Sequence, residues 1–559
     1  MPVSGLRFEP RVDVQARNLA EGQADVSIRG GVFENTGFRI GATSLFDPQT
    51  GHYLAEIPVA PAMLESPVLL VGAENAILGF NANVGTVAYG WRRIEHRGEI
   101  SAGIGENSYN RQSFYQGVVI PGHPHLAADV EWSRSSSDGP VQFGDHDFRR
   151  VGGRIQLRAD SRQTDVFAGY QAKFFGWPNL YTPFNSNETE DLQTVLVTLN
   201  HRQWKSADEN WQIGAYYRRN KDDYAFNRFT PLGAVHPFQH TTYTRGVAAD
   251  GRLALGGVTV AFSAQAMADF LRSTSLTFGK FHTRRFAKAA VVPEYSFATT
   301  AGKATAQAGV AFDDSNRDSS AVSPVVGFEL WATTGPRYYL QYAESTQLPT
   351  YTALNSNAAG GLFRGNPALG RETTRNLEAG LALRQSGWDV QAALFYRWDD
   401  DLVDWTFRRG VTARTANAVD IGTSGLELVA TRKTRRYDVV LGYTYLDKSP
   451  DYGSATIDAS FYALNFAKHR LTAAMTFRLG AGFEARLDNE FRVQEENLLR
   501  TVGGNQTTLT SIGLYYLPPQ RRGLELSLLV ENLWDSRYQE VPAVPATPRQ
   551  LSAGVTWRY

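Results

Sequence analysis

The sequence predicts an all-β fold: an antiparallel transmembrane β-barrel of about twenty-two strands with a small mixed amino-terminal plug domain inside the lumen. Three observations carry this. Apolar and polar residues alternate with a period of two through most of the chain, the links between alternating segments are short and long in turn, and the last segment ends on an aromatic carboxy terminus.

Composition narrows the field first. The 559 residues include 56 Lys and Arg against 56 Asp and Glu, and no Cys. A disulfide framework and a Cys-ligated metal or iron–sulfur site are excluded, and zero net charge argues against a nucleic-acid partner. The apolar runs are short, such as Pro67 to Val71, well under the roughly 18 residues that a membrane helix needs. A hydrophilic average does not count against a membrane barrel, because lumen-facing residues dilute lipid-facing ones.

A barrel this wide would leak large solutes unless it were filled. Residues 1–95 are therefore expected to be the plug, a small mixed domain whose β-type segments include Val26, Ile28, Phe38, Ile40, Ile57, Val59 and the Pro67 to Val71 run, parted by Gly-rich turns. Residues 96–559 are expected to be the barrel. From Trp388 to Trp398 one face reads Trp388, Val390, Ala392, Leu394, Tyr396, Trp398, and the other Asp389, Gln391, Ala393, Phe395, Arg397. From Phe483 to Arg492 one face carries Phe483, Ala485, Leu487, Asn489 and Phe491, and the other only ionic residues. Short links such as 159–163, 299–303, 333–336 and 479–482 alternate with long ones such as 176–188, 222–242, 347–370 and 449–466. That is an up-and-down meander at roughly 21 residues per strand and link, against about 9 to 11 needed to cross the bilayer. An even count puts both barrel ends on one side. In the last strand Leu551, Ala553, Val555, Trp557 and Tyr559 share a face free of the charges and prolines that normally guard an edge. Val555, Trp557 and Tyr559 are the candidate signal for the barrel assembly machinery.

Four blocks resemble the TonB-dependent outer-membrane transporters, in the family's order. Ala24 to Val59 contains an Ile-Arg-Gly block and an Asp-Pro-Gln-Thr-Gly-His loop; Val68 to Val87 keeps a glycine framework; Gly365 to Leu381 and Val530 to Glu540 resemble the family's two barrel signatures. The resemblance implies an outer-membrane protein, expected to be a monomer, that imports a scarce ligand of the siderophore-iron or corrinoid class, powered by the inner-membrane TonB–ExbB–ExbD complex pulling on an amino-terminal box by strand addition. A passive channel or binding-only receptor is the alternative. The family's secretory leader, its pairing box and the opening of its plug are not found ahead of Pro2 to Asn18. A start site inside a longer reading frame is the favoured explanation, with a trimmed chain and lost energy coupling as the alternatives. The stretch Glu65 to Gly72 also lacks the family's basic run.

Candidate residues follow. Gly30 and Gly31 permit backbone conformations closed to other residues, and Arg29 is expected to be an ion-pair anchor that holds plug carboxylates or the barrel wall through its planar fork, in preference to a substrate contact. Glu372, Asn376 and Glu378 alternate as a lumen-facing row with Thr374. The loop after Phe38 to Leu45 should point outward, making Phe46, Gln49, Thr50, His52 and Tyr53 the plug's candidate ligand contacts. In the long loops Trp177, Phe184, Tyr181, Tyr224, Phe226, Phe229, Tyr351 and Phe363 are expected either to grip a flat or hydrophobic ligand or to form the interfacial girdle. His123 with His125, His236 with His240, and Asp313, Asp314 and Asp318 are weak metal signals against which a solvated loop is preferred. The sequence shows no nucleophile elbow, P-loop or dinucleotide fingerprint, so no enzyme activity and no cofactor are expected.

Overall fold

The computed structural model describes residues 1–19, 21–230, 238–279 and 282–559. Among them, twenty-two long strands close into one antiparallel barrel running from Arg97–Gly105 to Gln550–Arg558. Each strand pairs with its sequence neighbours, and the last pairs antiparallel with the first, from Ser552 opposite Gly105 to Arg558 opposite Glu99. No helix among the described residues is long and apolar enough to cross a membrane. The protein is an outer-membrane β-barrel that crosses with strands.

The period-two pattern becomes two surfaces. On strand Trp388–Phe407, Leu394 is 61% exposed on the lipid side, while Ala393, Phe395 and Arg397 are buried inside. On Phe483–Gln494, Phe483 and Phe491 face out and Arg492 is buried within. A girdle does form, but from other aromatics than the long-loop candidates: Tyr295, Trp331, Tyr338, Phe483, Trp557 and Tyr559 are exposed beside the short turns. Two long loops add small strands of their own. Phe363–Arg364 pairs parallel with Arg414 and Thr415, and Ala459–Ser460 pairs with Thr406 and Phe407, so these loops fold over the barrel mouth.

The plug fills the lumen with two sheets. Val12–Arg17 pairs antiparallel with Gln23–Ile28, and a four-stranded mixed sheet runs in the order Thr43–Leu45, Thr36–Ile40, Gly85–Tyr89, Val68–Leu70. The only parallel pair in that sheet, Thr36–Ile40 with Gly85–Tyr89, is reached through the helix Gly72–Leu78. Ile57 and Val59 do not belong to a strand, contrary to the sequence reading; Pro58 between them has no N–H to offer a ladder, and both side chains are fully buried in an irregular segment. Val26, Ile28, Phe38, Ile40 and Val87 form an apolar core that continues onto inward barrel residues Phe167, Leu196 and Phe286.

Candidate ligand-binding site

Of the polar regions that join plug and wall, two bear on function. The deeper one centres on Arg29. Its backbone is left-handed (φ 50°), as is Gly30 (φ 66°); a Cβ on Gly31 would stand 2.5 Å from the Val84 side chain. This tight turn aims Arg29 at two barrel carboxylates: Nη1 and Nη2 donate to Glu378 at 2.7 and 3.2 Å, and Nη2 and Nε to Glu427 at 2.8 and 3.1 Å. The guanidinium also lies 4.5 Å from the centre of the Phe395 ring. Tyr339 donates to Glu378 at 2.7 Å, Lys448 to the Gly30 carbonyl at 2.5 Å, and Arg397 to the Arg29 carbonyl at 3.1 Å. Burial opposes the charge on Arg29, but Glu427 and Glu378 more than offset it and raise its pKa. From the lumen-facing row, Glu372 accepts from Asn35 of the plug at 3.0 Å, Thr374 donates to Asp399 at 2.7 Å, and Asn376 is buried beside Arg29.

The outer region is built on the plug loop after Leu45. Asp47 folds it back by accepting from the backbone N–H of Gln49 and of Tyr53, both at 3.2 Å. Gly51 (φ 77°) sits over Glu34, whose Cγ would be 2.7 Å from a Cβ there. Arg218 of the barrel holds the loop from below through the carbonyls of Phe46, at 2.9 Å, and Tyr53. His52 stacks on Phe33 at 4.2 Å and faces Asp25 through Nδ1 at 2.9 Å, while Arg17 donates to the other oxygen of Asp25 at 2.6 Å. Burial raises the Asp25 pKa, yet His52 and Arg17 outweigh it and hold the carboxyl well below the usual range. Arg17 is the permanently charged partner, whereas burial pushes the His52 pKa down against the pull of Asp25.

Above this loop lies a cavity of about 520 Å³. Gln49, Thr50, His52 and Tyr53 form its plug side, and Tyr181 and Tyr224 stand on its wall. Three sequence candidates are placed elsewhere. Phe46 packs edge-on against Phe80 and Phe286 in the plug core; Trp177 is fully buried and donates to the Pro545 carbonyl at 2.8 Å; Tyr351 donates to Asp269 at 2.8 Å with Arg284 4.0 Å over its ring. Each has spent its polar atom or its ring on loop packing. The cavity also takes Glu190, Asp222, Phe238, His240, Trp405 and Arg414, which the sequence reading did not single out as ligand contacts, together with Phe363. Glu190, Asp222 and His240 stand near the outer ends of three successive strands; of the three, the sequence reading named only His240, as a weak metal signal with His236.

Among the described residues no group of three or more His, Cys, Asp or Glu is arranged to hold a metal ion. His125 is paired with the Arg158 carbonyl at 2.9 Å, Asp313 and Asp314 belong to strand Gly302–Ser315 rather than to a loop, and His236 lies outside the described residues.

Comparison with known proteins places this geometry. The family model described as TonB dependent receptor-like, beta-barrel matches residues 80–533. No curated protein matches the sequence significantly. Among solved structures, the fold resembles the siderophore receptor PirA from Pseudomonas aeruginosa (16% identity, TM-score 0.72, covering 98% of this chain and 99% of that one). It also resembles the FrpB iron transporter from Neisseria meningitidis (14%, 0.77, 99% and 96%) and the copper transporter OprC (14%, 0.78, 100% and 98%).

Proposed function

Since the chain belongs to the TonB-dependent receptor family, we propose that it imports a scarce ligand too large for diffusion pores, of the siderophore-iron class, from outside the cell into the periplasm. The observation that carries this reading is the pairing of a lumen filled by the plug with an outward cavity of about 520 Å³ whose floor belongs to that same plug. A ligand seated there touches the plug apex directly, so binding and plug state are physically coupled. The volume suits a drug-sized ligand better than a whole corrinoid, the other class considered. Two similar structures, a siderophore receptor and an iron transporter, support the same choice.

The outer membrane offers no nucleotide energy source, so the work comes from the TonB–ExbB–ExbD complex acting on the plug from the periplasm. The barrel supplies a rigid wall, and the Arg29 network is the contact that must yield or pivot when the plug is pulled. The candidate contacts are Gln49, Thr50, His52, Tyr53, Tyr181 and Tyr224. The test is uptake of radioiron from a panel of ferric siderophores into cells expressing the full gene product as their sole receptor, with and without TonB. Uptake that vanishes without TonB supports the reading. Uptake indifferent to TonB would establish a passive channel, and binding without uptake a binding-only receptor.

A further inference from the structure

Two glutamates of one strand mark a corner of the outer cavity that structural packing does not explain. Glu188 and Glu190 lie two residues apart on strand Asn187–Trp204 and therefore project from the same face; both are fully buried. Glu188 is richly served. It accepts from the Tyr181 backbone N–H at 2.8 Å, Thr182 Oγ1 at 2.5 Å, Ser186 Oγ at 2.8 Å and the Tyr224 hydroxyl at 2.9 Å. Glu190 lines the cavity, and among the described residues neither of its oxygens has a donor in hydrogen-bonding geometry, although the Tyr53 and Tyr181 hydroxyls are near neighbours.

The neighbouring wall repeats the pattern. Asp222 accepts from Gln49 Nε2 at 3.1 Å through one oxygen, while the other has no donor in hydrogen-bonding geometry among the described residues, although the Tyr53 hydroxyl is a near neighbour here too. Directly across the ladder stands His240, 7% exposed, with its Nδ1 likewise unpartnered. All three line the same cavity. Of the nearby cations, Arg218 is held by the Phe46 and Tyr53 carbonyls, Lys173 by Glu56 at 2.6 Å, and Arg414 by the Tyr181 carbonyl within a box of four aromatic rings, while Arg364 lines the cavity but makes no ion pair with Glu190 or Asp222. A buried carboxylate with an unserved oxygen is costly, and Glu190 with both oxygens unserved and Asp222 with one, in an aromatic-walled cavity, form a receptor for positive charge, because ring faces and carboxylates attract a desolvated cation together.

Resting on the reading of this cavity as the cargo site, we propose that it seats an organic cation of the cargo, a primary ammonium or guanidinium group, between Glu190 and Asp222, with His240 Nδ1 as a further acceptor. A metal ion is the less favoured occupant, since the described residues hold no metal-type cluster.

The test is calorimetric titration of the whole detergent-solubilised protein with two matched pairs: ferrioxamine B, which carries one free ammonium, against its N-acetylated form, and phenethylammonium against phenethyl alcohol. The expected result is that the charged member of at least one pair binds about tenfold tighter than its neutral partner, and that Glu190→Gln and Asp222→Asn each remove most of that preference. Unchanged circular dichroism shows that the variants fold. Charge-blind binding, or no binding of either ammonium, overturns the proposal, as does saturable binding of a divalent metal alone that the same substitutions abolish. The titrations contain no TonB, so the two readings fail separately: charge-blind binding beside TonB-dependent uptake removes only this inference, and charge-selective binding beside TonB-independent uptake removes only the transport reading.

Discussion

The Arg29 network and the outer cavity are both buried, polar and shared between plug and wall, and they are finished differently. Around Arg29 four guanidinium–carboxylate hydrogen bonds, a tyrosine hydroxyl and a lysine close on one another. In the outer cavity Glu190, one oxygen of Asp222 and Nδ1 of His240 are left without donors or acceptors among the described residues. In the Arg29 network every charged group has an ionic or hydrogen-bonded partner and only Glu427 Oε1 and Asn376 Nδ2 stay unserved among the described residues, whereas both oxygens of Glu190 do; the first arrangement holds structure, and the second marks where a ligand adds the missing partner.

That contrast can be broken by substitution. The largest effect is expected at Arg29. Replacing it with Met strands Glu378 and Glu427 as buried charges, and should cost about 3–5 kcal/mol, read as a fall in the denaturant midpoint of the purified protein. A loss below about 1 kcal/mol would mean that the network is solvated and not structural. Next comes the pair on one strand. Glu188→Ala abandons four donors and should cost about 1–3 kcal/mol, whereas Glu190→Gln should leave stability unchanged or improve it; equal losses at both would erase the distinction.

The plug also carries a pH signature. Burial, and then the nearby Glu372, raise the Glu34 pKa from 4.5 to about 8. An acid whose folded pKa is raised binds more protons folded than unfolded between those two values, so stability should fall as pH rises from about 4.5 to about 8 and level off above. Asp25 acts in the opposite sense, its stabilisation being lost only in acid, below the ordinary carboxylate range. Thermal unfolding followed across pH should show the decline through neutrality, and Glu34→Gln should make it shallower. A decline unchanged by the substitution assigns the titration to other buried acids. The smallest effect is expected at the border of the cavity, where Trp405→Phe removes the 3.1 Å hydrogen bond from the indole to Glu34 and should cost about 1 kcal/mol.

Much of the barrel was legible because lipid and lumen impose opposite polarity on alternate residues, a constraint repeated on every strand. Phe491 beside Arg492 announces its side from residue type alone, whereas Leu394 beside Phe395 is sorted only by the alternation of the whole strand. Plug elements were less legible, since a short segment buried on every side carries no alternation: Ile57 and Val59 read as strand, and Pro58 prevents it. The site was half visible. Gln49, Thr50, His52 and Tyr53 are contiguous and follow from one outward loop, and Tyr181 and Tyr224 follow from loop aromatics. Glu190, Asp222 and His240 come together only through the register of three strands, in which Asp222 stands opposite both Leu192 and His240. Trp177 and Tyr351 look like ligand contacts by type, but the loops use them as their own core. At the carboxy terminus, Val555, Trp557 and Tyr559 share the lipid-facing side of the closing strand. We propose that they serve barrel assembly, and deletion of Tyr559 should lower the yield of assembled barrel without changing its ligand affinity.

The central claim is that cargo enters through the outer cavity under TonB power. It is tested most directly by radioiron uptake from the ferric siderophore that binds the purified protein, compared in wild type and in Thr50→Trp, which places an indole in the cavity, each with and without TonB. The expected result is uptake in the wild type alone and only with TonB, while Thr50→Trp reaches the membrane folded. Equal uptake by a folded Thr50→Trp protein would contradict the account.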